Sequence, residues 1–479
     1  MARSPYAILA VLTLSTMITM YVEAMVIPSL PHIESALSAT DEEAAWIVSA
    51  FLVVGAAVAP LFGKLGDVHG KKRLFLASLA AYSAAVLAAG FSPNVYFLIA
   101  MRALQGFGFS LFPLSMSIVT DVFPSERVAT AQGIISAMMA IGMTVGMIAG
   151  AYVEEYLGWR AMFHIGFALS AAMLAASYAI LEERPAASRG KVDYWSTTLL
   201  ASGIALVLVY LTEAPYSGWA SLRQLALISS GAALLAGFVA YARRAENPLI
   251  GLDLLGIRNV AVANAAGFLS GVSMFTLFLG VIYYAEELPP YGLGLSVLSA
   301  ALSLLPATLA MIAIAPLVGS ATSSLGPRPV LAFGSLASAL GFWLFTFDRA
   351  GPAELVVDSF VTGVGIVSLM IPIVNMVAVS MPRDSVTVGL GFNTTMRYLG
   401  ASLGPVIAAT IMTTHKWWVV YAPSPAPTLM FSEAGAVAFN YIFMVGMAFS
   451  LATLAVSLLT ANYRPRALGA GGGPPAQPP

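Results

Sequence analysis

The sequence has no cysteine and only four histidines among its 479 residues. The first absence excludes disulfides and thiolate metal sites, and says little about compartment. The histidines are scattered at 32, 69, 164 and 415, so no metal site is expected. Charge is scarce as well. Asp, Glu, Lys and Arg make up 9% of the chain, against about 25% in ordinary soluble domains. So few charges cannot cover a water-facing surface, which excludes a soluble globular protein. The net charge of −1 gives no support to nucleic-acid binding. No loop of the G-x-x-x-x-G-K-[ST] type occurs, which argues against an ATP-driven pump.

What remains is apolar. The chain is 59% hydrophobic, with a mean hydropathy of +0.86. A helical span needs roughly 20 apolar residues. Fourteen stretches qualify, near 6–28, 44–62, 74–91, 95–119, 131–153, 161–181, 194–212, 223–242, 258–284, 295–318, 328–347, 354–378, 388–413 and 437–460. The first continues without a small-residue cleavage site and reads as a span, not a removed signal. With both termini on the cytoplasmic side, cytoplasmic segments hold sixteen of the 22 Lys and Arg, and the outer segments four, Arg160, Arg223, Arg349 and Lys416. That bias sets the orientation. Arg102 and Arg397 lie inside spans. The Gly/Pro-rich stretch after Leu468 is expected to be a disordered tail.

One loop concentrates charge. GKLGDVHGKKR (63–73) holds Lys64, Asp67, Lys71, Lys72 and Arg73 between Gly63 and Gly70. Part of this is the topological signal. The pattern also returns 256 residues later, where Gly63, Asp67, Gly70 and Lys72 correspond to Gly319, Ser323, Gly326 and Arg328. A looser echo pairs Gly142 and Gly146 with Gly400 and Gly404. These repeats predict two related six-span halves, about 1–181 and 258–460, with two inserted spans and their linkers at 182–257 and the tail at 461–479. Such halves mark secondary transporters, with substrate bound between them near mid-membrane.

On these residues the chain resembles the major facilitator superfamily, and within it the fourteen-span drug–proton antiporters that export multiple drugs, quaternary ammonium compounds or tetracycline. GKLGDVHGKKR is similar to the signature loop G-x-x-x-D-x-x-G-[RK]-[RK]. RALQGFGF from Arg102 resembles the span-four motif, and GMTVGMIAGA resembles in part the span-five antiporter motif of Gly142, Gly146 and Gly150. GWRAMFHI (158–165), ENPLIGLDLL (246–255) and FNTTMRYLGASLG (392–404) extend the match over nearly the whole chain. The resemblance implies an all-α membrane protein of two six-helix bundles plus two additional helices. It implies a cytoplasmic latch of Gly63, Asp67, Gly70, Lys71 and Lys72, with Asp67 against the start of span thirteen near Ser385. A carboxylate there gains about 0.3–1 kcal/mol, up to roughly 2 when partly buried. The motif's proline is replaced by Met147, which bears on transport direction.

An ionisable group inside a span costs about 2.5–3.5 kcal/mol on insertion scales, so it points to function and a partner. Glu23 lies deep in span one. Burial disfavours its charged form, so it is a candidate to exchange a proton for substrate; the bland reading is a packed, neutral acid. Arg102 stays charged and needs a carboxylate, carbonyls or water. The resemblance ties it to proton coupling, and Gln105 follows one turn on. Asp358, 256 residues after Arg102, is a third proton-coupling candidate unless the outer surface keeps it wet. Asn393 and Arg397 join Glu23 and Gln105 as substrate-binding candidates, with a packing role equally open for Arg397. Glu213, Glu286 and Glu287 end spans and read as interfacial. The resulting expectation is a multi-pass protein of the cell membrane. It would be a monomer that exports amphipathic, cationic organic compounds in exchange for protons, with no cofactor and no metal. A transporter of one metabolite (an amino acid, siderophore or sugar derivative) and a non-transporting receptor or scaffold are the alternatives.

Overall fold

Long apolar runs separated by short joints fold as helices, because in lipid each backbone amide must find its partner within its own segment. The computed structural model describes residues 4–183, 193–245, 252–347, 351–381, 386–421 and 429–462. The helices, in chain order, are α1 (Pro5–Ala24), α2 (Val26–Leu37), α3 (Asp41–His69), α4 (Lys71–Ala89), α5 (Val95–Gln105), α6 (Leu111–Val122), α7 (Ser125–Leu157), α8 (Trp159–Ile180), α9 (Tyr194–Ser217) and α10 (Leu222–Ala242). They continue with the short α11 (Leu252–Leu255), then α12 (Arg258–Glu286), α13 (Val297–Leu325), α14 (Pro327–Phe347), α15 (Pro352–Ser380), α16 (Val386–Thr414) and α17 (Ala436–Ser457). Among the described residues, eleven helical segments are long and apolar enough to cross a membrane. Three more, α3, α7 and α16, have 29, 33 and 29 residues and lie between them.

The first predicted span is two helices in line. They break at Met25, whose amide still donates to the Tyr21 carbonyl at 3.0 Å. The fourth is broken by a tight 3-10 turn, Gly106–Ser110, between α5 and α6. The stretch GKLGDVHGKKR is no open loop. Helix α3 runs on through it to His69, and the chain turns only at Gly70, at φ +102°. Gly326 does the same between α13 and α14, at φ +89°. A side chain rarely adopts that conformation, so both copies of the repeat need glycine there. The chain also departs from all-α. Lys416–Tyr421 and Leu429–Ala434 pair as an antiparallel hairpin, β1 and β2, between α16 and α17. The proposed tail lies outside the described residues.

The second echo also has a structural counterpart. Helix α7 crosses α1 with Gly142 against the Met17 carbonyl and Gly146 against the Tyr21 carbonyl. Helix α16 crosses α12 with Gly400 against the Phe268 carbonyl and Gly404 against Phe275. Small residues permit such close contacts where lipid supplies no hydrophobic drive. The two sets of helices meet along α3–α16 and α7–α13. Ser49 donates to the Ser402 carbonyl at 3.1 Å, and Thr395 to the Ala56 carbonyl at 3.3 Å. Helices α9 and α10 pack on each other, and α9 lies against α3 and α16, where Val53 meets Leu200, Ile204 and Leu208.

Because the helices alternate in direction, Gly70 and Gly326 mark one end of the molecule. His32, Gly158 and Glu286 mark the other.

Candidate functional site

Glu23 occupies the last turn of α1, next to the Met25 break, and is 4% exposed. Two cations bear on its carboxyl group, Arg102 of α5 and Arg397 of α16. They come from opposite halves. With Glu23 ionised the three groups together carry a charge of +1; with Glu23 protonated they carry +2.

Arg102 is 1% exposed and firmly held. Its Nε donates to the Ile47 carbonyl at 3.0 Å, and its Nη1 to Gln105 Oε1 at 2.8 Å. Gln105 in turn donates to the Ala85 carbonyl at 3.4 Å. The guanidinium lies over the Phe51 ring, 4.5 Å from its centre. Phe51 packs on Phe109 at 4.5 Å, and Phe109 on Tyr398 at 3.9 Å. Arg397 lies 5.7 Å from the Tyr398 ring. A run of three rings thus joins the arginine of one half to the arginine of the other. Tyr82, fully buried, has its hydroxyl without a hydrogen-bond partner among the described residues and is close enough to feel both Arg102 and Glu23.

The sequence candidates fall into three groups. Glu23, Arg102, Gln105 and Arg397 come together. The glycines 142, 146 and 150 back the Met17–Met25 segment that carries Glu23. Met147, where the motif has proline, is 1% exposed in an unbroken α7. Asn393 does not join the cluster; its amide donates to the Ala263 carbonyl at 2.9 Å and to Asn264 Oδ1 at 3.2 Å, tying α16 to α12. Asp358 is 3% exposed, so it is not the wet group that its place near a span end allowed. It sits in α15, which packs chiefly on α12, α13 and α14 of its own half.

Of the latch, the surroundings of Gly63 and the side chain of Asp67, and Ser385 itself, lie outside the described positions. Lys71 pairs with Asp121 of α6 at 2.5 Å, and Lys72 donates to the carbonyls of Leu181 at 2.5 Å and Tyr178 at 3.2 Å. Two of the span-end acids are shielded within the protein. Glu213 is largely buried and pairs with Arg223 at 2.9 Å, while the Glu286 side chain is only 7% exposed. Phe51, Phe109, Tyr82 and Tyr398 were not singled out from sequence. Phe109 and Tyr398 lie inside motifs, RALQGFGF and FNTTMRYLGASLG, and buried aromatics one or seven positions from a membrane arginine were the available signal.

Residues 12–283 match the Major Facilitator Superfamily. A tetracenomycin C resistance and export protein of Streptomyces glaucescens is 28% identical over 444 residues, 90% of this chain and 81% of that protein. A multidrug resistance protein B homolog of Mycobacterium tuberculosis is 27% identical over 382 residues, 78% of this chain and 70% of its own. In fold, the human organic anion transporter MFSD10 (TETRAN) superposes with a TM-score of 0.60 at 16% identity, covering 95% of this chain and 99% of its own. The family match and these relatives indicate a membrane transporter rather than an enzyme. The chain belongs to the Major Facilitator Superfamily.

Proposed function

We propose that this protein is a proton-coupled antiporter of the fourteen-span branch that exports amphipathic organic compounds across the cell membrane by alternating access. The names of its relatives, a tetracenomycin C exporter and a multidrug resistance protein among them, support export. The Lys and Arg bias supports a cytoplasmic Gly70 end and an outer His32 end. The observation that carries the coupling is a buried Glu23 within the electrostatic reach of Arg102 of one half and Arg397 of the other.

An ionised Glu23 attracts both guanidiniums and so draws the mid-membrane faces of the halves together. Protonation removes that attraction and releases Arg397, with α16, to move relative to Arg102, which its hydrogen bonds keep in the first half. A proton entering from outside therefore favours one packing of the halves, and its loss inside favours the other. The gradient supplies the drive, each charge crossing 100 mV being worth about 2.3 kcal/mol. The run of rings from Phe51 to Tyr398 suits a planar apolar surface, since offset aromatic contacts are favourable. The two arginines argue against the cationic substrate expected from the sequence. A site already at +1 favours neutral or weakly charged aromatic compounds over permanent cations.

Proteoliposomes subjected to a pH jump test this reading with a panel of neutral, anionic and cationic aromatic dyes. Wild type is expected to move neutral dyes uphill, and Glu23→Gln to bind them without accumulation. Uphill transport by Glu23→Gln at the wild-type rate refutes the coupling role. Indifference to every dye with uptake of one metabolite refutes multidrug export.

A further inference from the structure

Helix α3 packs on both span four and α16. Three of its residues that meet span four, Ile47, Phe51 and Gly55, are spaced four apart and so share a face. The Ile47 carbonyl accepts from Arg102, and Phe51 lies under the guanidinium. Gly55 faces Phe109, and a methyl group at position 55 would overlap that ring. The backbone does not ask for glycine here, since Gly55 lies inside α3 and is not at positive φ. Glycine at such a place weakens a helix relative to alanine. The Phe109 ring is the reason the side chain is missing.

Phe109 belongs to the 3-10 turn Gly106–Ser110 that interrupts span four, and this turn is clamped within the first half. A methyl group at Gly106 would meet the Gly55 amide and the Phe51 carbonyl at 2.8 Å. One at Gly108 would meet Tyr82 of α4 at 2.6 Å and Thr19 of α1 at 2.9 Å. The Ser110 hydroxyl donates to Ser78 of α4 at 2.8 Å. Three helices, α1, α3 and α4, thus hold the base of Phe109. Its ring leaves this seat and packs on Tyr398 of α16, in the other half, with centres 3.9 Å apart and planes at 37°. Both rings are buried.

We infer that Gly55 positions Phe109 as a catch between the halves, and that the contact of Phe109 with Tyr398 holds them in this packing. Alternating access requires α16 to move relative to span four, and packed interfaces change between discrete arrangements instead of yielding gradually. The turn cannot follow α16, because α1, α3 and α4 hold it. The contact therefore breaks as the halves rock and re-forms when they return. An aromatic pair favours the state that contains it by roughly two- to tenfold. The catch thus sets the resting ratio of the two packings, and with it how readily the carrier leaves this one. Gly55 acts only through Phe109: without the glycine the ring loses its seat, and without the ring the glycine has no role. The inference rests on the alternating access proposed above and not on proton coupling through Glu23.

The chain has no cysteine, so a labelled pair is free of background. At the outer end the halves touch, the Leu298 amide donating to Glu155 at 3.0 Å. Tyr156→Cys and Leu288→Cys, at exposed positions near this contact, place spin labels on opposite halves of the full-length protein in lipid nanodiscs, without substrate. Dipolar spectroscopy reads the ratio of the short distance, which belongs to this packing, to the long one. Phe109→Leu and Tyr398→Leu keep apolar bulk and remove a ring; each is expected to lower the ratio by about two- to tenfold, and Gly55→Ala likewise. Combining Gly55→Ala with Phe109→Leu should lower it no further than Phe109→Leu alone, since the two act through one contact. Tyr398→Phe keeps the ring and should keep the wild-type ratio. A purely structural role would lower the thermal midpoint of these variants and leave the ratio of the two folded packings where it was. That outcome overturns the inference, as do additive effects of Gly55→Ala and Phe109→Leu, or a shift in Tyr398→Phe equal to that in Tyr398→Leu. A single distance in wild type and every variant overturns it together with alternating access. Uphill transport by Glu23→Gln overturns the proton coupling alone, so the two proposals fail separately.

Discussion

Replacing Arg102 by lysine keeps the charge and removes the fork. Arginine reaches the Ile47 carbonyl and Gln105 Oε1 from two different nitrogens while its plane covers Phe51. A lysine ammonium is a point on a flexible stem and cannot serve all three at once. One lost hydrogen bond from a charged donor costs about 1.5–3 kcal/mol, and a desolvated cation–ring contact is worth up to about 2 kcal/mol. Arg102→Lys is therefore expected to lose roughly 2–4 kcal/mol of stability. Thermal unfolding of the purified protein in detergent reads the loss as a lower midpoint, and a pH-jump dye assay reads coupling in parallel. Gln105→Leu removes one acceptor and leaves the guanidinium, so its midpoint should fall by less than that of Arg102→Lys. Should Arg102→Lys unfold at the wild-type temperature and still move dye uphill, the forked attachment is not what holds this arginine, and the argument fails.

Gly146→Val is expected to force α7 off the Tyr21 carbonyl. The overpacking should cost about 1–3 kcal/mol and lower the unfolding midpoint, whereas Gly319→Ala, with nothing near its missing side chain, should leave it unchanged. Phe109→Ala removes a ring 2% exposed between Phe51 and Tyr398; about 3–5 kcal/mol of stability should go with it, and aromatic dye binding by fluorescence should weaken. Asp121→Asn breaks the partly exposed pair with Lys71. Its effect should stay near 0.2–1 kcal/mol, by the measure of surface pairs, and shrink further as salt is raised in the same melt.

Membership of the fold was legible because its cause is local. A run of apolar residues between charged joints must become a helix in lipid, whatever surrounds it, and Gly70 and Gly326 mark the repeat in the sequence itself. The positions of Glu23 and Arg102 were legible for the same reason, since a charge inside a span stands out against its neighbours. Their partners were not. Arg397 carried no mark that distinguished packing from function, and Asn393, one turn away on the same helix, turns its amide to α12 instead.

The aromatic run depends on how the halves dock. Phe51 and Tyr398 stand 347 positions apart. Composition and periodicity alone established a many-helix membrane protein with a duplicated architecture, because hydropathy and backbone conformation act over a few residues. Which charges meet, and which are left without a partner, only the tertiary structure decided. Coulombic and hydrogen-bond energies depend on distances of a few ångströms across a seam, and the one-dimensional chain does not encode those distances locally.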